Sequence, residues 1–212
     1  MSTLLLLLLA CRPDPGSPDY PDPSAVDSGD TGQEDDFYPG PDPWQEGEAR
    51  LSLGLFYEGG ASEALPVDDV TRHYYIYSAT YSETVDVIDR VEGYESAVIV
   101  HGGGEWWGGG ITWGQPEDLG AWSTLHLSLR SGSDSFATLS LHLTGGGTEA
   151  VVAATDYGYS ADGAWHHLAV PLADFASGGA DLSSVTGPFV LVGTAGTAGD
   201  ELRVDNLYMS GD

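Results

Sequence analysis

Leu51, Leu53 and Leu55 alternate with Ser52, Gly54 and Phe56, and the same two-residue beat returns along the chain. Leu125, Leu127 and Leu129 alternate with His126, Ser128 and Arg130, and Leu139, Leu141 and Leu143 with Ser140 and His142. Near the end Leu202 and Val204 point one way while Arg203 and Asp205 point the other. Side chains leave a β-strand on alternate sides, so this period predicts strands with one buried face and one wet face. Further strands are predicted over 73–77, 84–91, 97–101, 149–155, 165–172 and 189–193. Gly and Ser clusters punctuate them at 102–104, 108–110, 131–135, 145–147, 158–163 and 193–199. A helical period is sustained nowhere, and residues 172–177 predict a turn at most. About ten short strands in about 160 residues predict one all-β domain over 49–212, an antiparallel β-sandwich with jelly-roll connections.

Upstream of residue 49 the beat is gone. Eight of the 12 prolines fall between residues 12 and 48, interleaved with acids and almost no aliphatics. Such a segment cannot bury enough apolar surface to offset the entropy of ordering, so residues 11–48 predict an acidic, Pro-rich tether. Its Asp27, Asp30, Asp35 and Asp36 lack the D-x-D-x-D-G spacing and closing Glu of a calcium loop. Before the tether, six leucines (residues 4–9) and Ala10 lead directly to Cys11, the only cysteine. The tetrapeptide Leu8-Leu9-Ala10-Cys11 resembles the bacterial lipobox. That resemblance implies a lipoprotein signal peptide over 1–10 and a lipidated Cys11 as the new N-terminus. Arg12 rather than Asp follows the cysteine, which implies the outer membrane or cell surface of a Gram-negative bacterium.

Charge narrows the partners. The formal net charge is −27, from 33 acids against six arginines and no lysine. Such a surface repels polyphosphate, which excludes nucleic acid, and repels an anionic membrane face, so membrane contact is expected through the anchor only. With one cysteine there is no disulfide framework, and stability must come from a packed core. No later stretch approaches the ~18 uninterrupted apolar residues of a membrane span.

The chemistry concentrates in HGGGEWWGGGITW, residues 101–113, where Trp106, Trp107 and Trp113 lie among two glycine triplets. A sugar offers an apolar face of C–H groups and a rim of hydroxyls, which match a flat aromatic ring beside a few polar groups. Exposed Trp with Glu105, His101 and Gln115 would supply both. Trp106 and Trp107 are adjacent, so in a strand they face opposite sides: one packs and the other is exposed. Trp113 shares its parity with Ile111 and is open to either role. Secondary candidates are Tyr157 and Tyr159, on a Gly-rich loop, and His126, Arg130 and His142. These last three, with Ser140, would line one wet face if their strands are neighbours.

The run G-x-x-W-W-G-G-G-I (103–111), the segment E-D-L-G-A-W-S-T-L-H-L-S-L (117–129), W-H-H-L-A-V-P-L-A-D-F (165–175) and the closing L-R-V-D-N-L-Y-M (202–209) together resemble a known family. They are similar to the carbohydrate-binding modules of galactose-binding-like jelly-roll fold, as in the accessory C-terminal domain of exo-acting glucan hydrolases. The resemblance implies a non-catalytic role and polysaccharide or oligosaccharide binding on a sheet face or at loop tips. It also implies a structural calcium in some members, whose ligands would match Glu58 in F-Y-E-G-G and Asp205 in V-D-N-L.

Enzyme signatures are missing. There is no G-x-S-x-G elbow, no H-E-x-x-H and no array of paired acids on strands such as a glycosidase needs. His166 and His167 are adjacent and point to opposite faces, so they do not form a metal cluster with His101. Two functions stand. One is a lipid-anchored glycan-binding module at the cell envelope, presenting polysaccharide to a partner hydrolase. The other is a structural or adhesion lipoprotein whose aromatic patch meets a surface protein.

Overall fold

Residues 45–58, 63–64 and 72–211 are described by a computed structural model. The leader over 1–10, Cys11 and the tether as far as residue 44 lie outside the described residues. In chain order the strands are β1 (Ala49–Ser52), β2 (Glu63–Ala64), β3 (Arg72–Ile76), β4 (Tyr81–Asp86), β5 (Ser96–His101) and β6 (Trp106–Trp113). They continue with β7 (Thr124–Arg130), β8 (Leu139–Gly145), β9 (Thr148–Ala153), β10 (His166–Pro171), β11 (Val185–Thr194) and β12 (Glu201–Gly211). One six-residue helix, α1 (Leu172–Ser177), follows β10.

The strands form two packed sheets. In the seven-stranded sheet the long β12 serves two neighbours on one side. Its first half pairs with β5, which carries β4, and its second half pairs with β1, which carries β2. On its other side β12 pairs with β7, and β10 closes that edge. A bulge between Asp205 and Tyr208 breaks the β7 register, and Asn206 takes the left-handed conformation there (φ 59°). The five-stranded sheet runs β3-β6-β11-β8-β9, antiparallel throughout. Between the sheets lie Leu125, Leu127 and Leu129 from one and Leu139, Leu141 and Leu143 from the other, with Trp107, Ile111, Phe136 and Phe175. The all-β jelly-roll sandwich expected from the period-2 pattern is the fold.

Three local expectations are corrected. Residues 108–110 are not a turn but the middle of β6, a strand with neighbours on both sides. Glycine is weak in a strand on its own account, but here it lets other groups close in. At Gly109 the Tyr81 hydroxyl stands 2.1 Å from where a Cβ would be. The strand expected over 84–91 ends at Asp86, whose Oδ1 accepts from the amides of Ile88 and Asp89 and turns the chain. Finally, β7 and β8 belong to different sheets, so His126 and Arg130 share no face with Ser140 and His142. Period 2 fixes which side of a strand a residue takes, not which sheet the strand joins.

Trp107 is the largest fully buried side chain, with Tyr81 and Phe136 presenting edges to its ring at centroid distances of 5.5 Å. It lies against Gly193 of β11, where a Cβ would fall 2.3 Å from the indole nitrogen. Gly193→Ala should therefore destabilise the fold by about 1–3 kcal/mol, the usual cost of overpacking a filled core. Thermal unfolding followed by near-UV circular dichroism would register it as a Tm lowered by several degrees.

Candidate functional site

The outer face of the five-stranded sheet carries two of the exposed aromatics, Trp106 and Tyr77. In β6, Trp107, Gly109, Ile111 and Trp113 face the core, so Trp106, Gly108, Gly110 and Thr112 face outward. The register sets Tyr75 of β3 and Val190 of β11 beside Gly110, and Val192 of β11 beside Gly108. Further along the same side stand Ser140 and His142 of β8, then Val151 and Glu149 of β9.

On this face Trp106 is 48% exposed and Tyr77, just past β3, is 37% exposed. Their rings lie 5.6 Å apart at 59°, and Tyr75 follows Tyr77 at 4.9 Å and 70°. The two tyrosine hydroxyls are 3.1 Å apart. The Tyr77 ring and Val192 come to 3.2 and 3.1 Å of where a Gly108 Cβ would be, so the glycine lets them rest directly on the strand. The result is a strip of three contiguous rings on a floor of glycine and valine.

Polar groups stand across that floor. His142 Nε2 and Ser140 Oγ are 2.8 Å apart, and His142 Nδ1 is 3.3 Å from Glu149 Oε1. The Tyr75 hydroxyl is held well above its ordinary range. Burial is the main cause, then the hydrogen bond and charge of Tyr77, and then the charge of Glu149.

The other expected contacts divide. Glu105 is exposed directly beside Trp106. Gln115 is exposed too, but it lies beyond the opposite end of β6, roughly 25–30 Å of strand away. Trp107 (0% exposed) and Trp113 (4%) are in the core and offer no ring to a ligand. Strand parity turned both inward with Ile111. His101 is buried against Trp107 and Phe136, and its Nδ1 accepts from the Gly103 amide at 2.8 Å. Tyr159 is buried, and the Tyr157 hydroxyl donates to Asp174 at 2.7 Å, so the two do not form a loop platform.

Arg130 is held by Gly163 O and Asp89, and His126 is completely buried. His126 is stacked between Tyr208 (4.4 Å) and His167 (5.3 Å), and it bonds Ser210 Oγ at 2.8 Å and His167 Nε2 at 3.1 Å. Tyr75 and Tyr77 were not among the expected contacts, although their signal was plain: aromatics two apart in a strand share a side.

Other constellations do not compete. His101, Ser135 and Asp200 gather like a hydrolytic triad, but Asp200 Oδ2 accepts from Ser133 and Ser135 hydroxyls at 2.5 Å each. The histidine's Nδ1 faces a backbone amide, so no proton relay runs from serine through imidazole to carboxylate. A groove of about 400 Å³ opens between the loop after β1 and the β4–β5 pair, lined in part by Phe56, Glu58, Glu83 and Glu95. It reaches Glu58, where the described residues break off. In it Glu83 is raised by burial and accepts from the Tyr74 hydroxyl.

Glu58 and Asp205 do approach one another, but as caps for amides. Asp205 Oδ2 accepts from Val91 N (2.6 Å) and Glu92 N (3.2 Å), and Oδ1 from Asn206 N (2.7 Å). Glu58 accepts from Tyr94 N, and its own amide donates to Glu92 Oε1 at 2.5 Å. Calcium needs six to eight oxygens. Among the described residues no three His, Cys, Asp or Glu converge as a metal site, and these carboxylates are turned onto N–H donors, so they do not fit a calcium cage.

No protein-family model matches the sequence, and no curated protein does either. Solved structures do. The family 30 carbohydrate-binding module of the cellulosomal cellulase Cel9D-Cel44B of Clostridium thermocellum is 15% identical, with a TM-score of 0.51 over 70% of this chain and 95% of that one. Another family 30 module is 15% identical, TM-score 0.51, over 66% of this chain and 81% of that one. An exo-β-agarase is 12% identical, TM-score 0.50, over 68% of this chain and 23% of that one. At these identities the likeness establishes a shared fold, the jelly-roll sandwich of carbohydrate-binding modules.

The buried cluster of the other sheet sets a pH profile. Burial pushes Asp205 up to about 7, against its three amide donors and with help from Glu58. Burial lowers His126 and His167 to about 4, the neighbouring imidazole adding to the shift of His126. Between about 4 and 6.5 the unfolded chain binds two imidazole protons that the folded one refuses, while the folded one keeps a single carboxyl proton. Stability therefore falls on acidification with a net slope near one proton. Near pH 7 the imidazole protons still bound by the unfolded chain and the carboxyl proton of folded Asp205 balance, and the profile levels off. Urea unfolding from pH 4.5 to 8 should show stability rising from the acid side and flattening near 7. Asp205→Asn, whatever its overall cost, should steepen the acid side to about two protons.

Proposed function

We propose that this chain is a non-catalytic glycan-binding protein whose contact surface is the Trp106–Tyr77–Tyr75 strip on the five-stranded sheet. The observation that carries the reading is Trp106 itself. An indole 48% exposed, continuous with two tyrosine rings, forms an apolar surface on a strongly acidic protein. A pyranose ring meets that surface with its C–H face, while Ser140, His142 and Glu105 offer bonds to its hydroxyls. The shared fold supports the class of ligand, since the structures that share it include modules of polysaccharide-degrading enzymes. Placement at the cell envelope, as a lipid-anchored protein presenting polysaccharide to a partner hydrolase, rests on Leu8-Leu9-Ala10-Cys11 and the acidic tether.

A glycan array probed with the full chain, followed by titration of each hit, tests the reading. Trp106→Ala should weaken binding about 30-fold, the ~2 kcal/mol of an aromatic anchor, with stability changed by no more than about 0.5 kcal/mol. Affinity for a neutral glycan should change little between low and physiological salt. Binding to a surface protein with no response to any sugar would favour the adhesion reading instead. The anchor has its own check: palmitate incorporation in a Gram-negative host, expected in the wild type and lost in Cys11→Ser.

A further inference from the structure

Between β3 and β4 the chain turns through Tyr77, Ser78, Ala79 and Thr80, and the Thr80 amide donates to Tyr77 O at 2.9 Å. Both central residues are left-handed, Ser78 at φ 48° and ψ 31° and Ala79 at φ 53°. Turns of that kind ordinarily take Asn-Gly, because an L side chain at positive φ crowds the following carbonyl. Among the described residues no other two consecutive non-glycine residues share it, in a chain that carries 30 glycines. Strain of this sort persists only where the surroundings hold it, and it collects at ligand-contacting sites.

Here the surroundings are the glycines on either side of Trp106. The Gly102 amide donates to Thr80 O at 3.1 Å and the Gly108 amide to Thr80 Oγ1 at 3.3 Å. A Cβ on Gly102 would fall 2.4 Å from Thr80 O, so glycine is what admits the turn this closely. The same turn sets the Tyr77 ring on Gly108, 5.6 Å from the Trp106 ring. Ser78 and Ala79 are themselves exposed, so what they contribute to this seating is backbone conformation. We propose, on the reading of this face as a glycan site, that Ser78 and Ala79 are its positioning residues: their left-handed backbone fixes Tyr77 beside Trp106 before a sugar arrives. Glycine at both would relax the backbone but admit other turn conformations, and the ligand would then have to immobilise Tyr77 itself.

The test compares the full wild-type chain with Ser78→Gly/Ala79→Gly and with Ser78→Asn/Ala79→Asn, since asparagine accepts positive φ without glycine's freedom. Without ligand, the glycine variant should keep or raise its Tm while hydrogen exchange at the Thr80 and Gly108 amides quickens about tenfold. Tetrasaccharides of glucose in β-1,2, β-1,3, β-1,4 and β-1,6 linkage, titrated by calorimetry, serve as ligand probes. The tightest should bind the glycine variant about fivefold more weakly, the ~1 kcal/mol of immobilising one side chain, and the asparagine variant within about twofold of wild type. The proposal is overturned if the Tm of the glycine variant falls, if its exchange does not quicken, or if its affinity is unchanged. Equal loss in both variants also overturns it, because the contact would then lie with the side chains of Ser78 and Ala79. Where Trp106→Ala weakens binding and the glycine variant does not, the glycan site stands and the positioning role falls. Binding of no tetrasaccharide by the wild type overturns both.

Discussion

Trp107 has nowhere to go but inward, and its neighbour is exposed as a consequence. Burying an indole gains on the order of 3 kcal/mol, more than a solvent-facing ring forfeits, so the core settles the rotation of β6. Tyr81, Phe136 and His101 give Trp107 their edges, and Gly193 leaves room beneath it. Once that ring is seated, backbone alternation delivers Trp106 to the opposite side, beside Tyr77, whether or not a ligand is present. The proposed contact residue is thus pre-positioned by a core residue one peptide bond away, and little ordering remains to be done on binding.

The two sheets differ in what lies outside them. Outward positions of β7 and β12 are polar by pattern yet closed to solvent. Ser210, His126, His167 and Ser128 bond in succession, at 2.8, 3.1 and 3.3 Å. The segment 86–94 is tied down on the same sheet. Asp86 and Asp89 pair with Arg203, Asp89 also pairs with Arg130 and the Trp165 indole, and Asp205 caps the amides of Val91 and Glu92. Buried polar groups are tolerable only when so bonded. Among the described residues the five-stranded sheet carries no comparable lattice of bonds over Trp106, Tyr77 and Val151.

Period 2 made the strands, the single sandwich and the split between Trp106 and Trp107 legible in the sequence. What it could not carry is any long-range assignment. His126 and His142 have the same local pattern, Leu-His-Leu, yet one strand joins each sheet; only the pairing of β7 with β12 and of β8 with β11 separates them. His126 reads as wet because nothing near it in sequence announces Tyr208 and His167, which stack on it from β12 and β10. Gly108 to Gly110 read as punctuation because glycine disfavours strands in isolation, and the close approach of Tyr81 and Phe189 O that demands it comes from β4 and β11. Tyr75 and Tyr77 needed no such distant information, for their spacing alone sets them on one side.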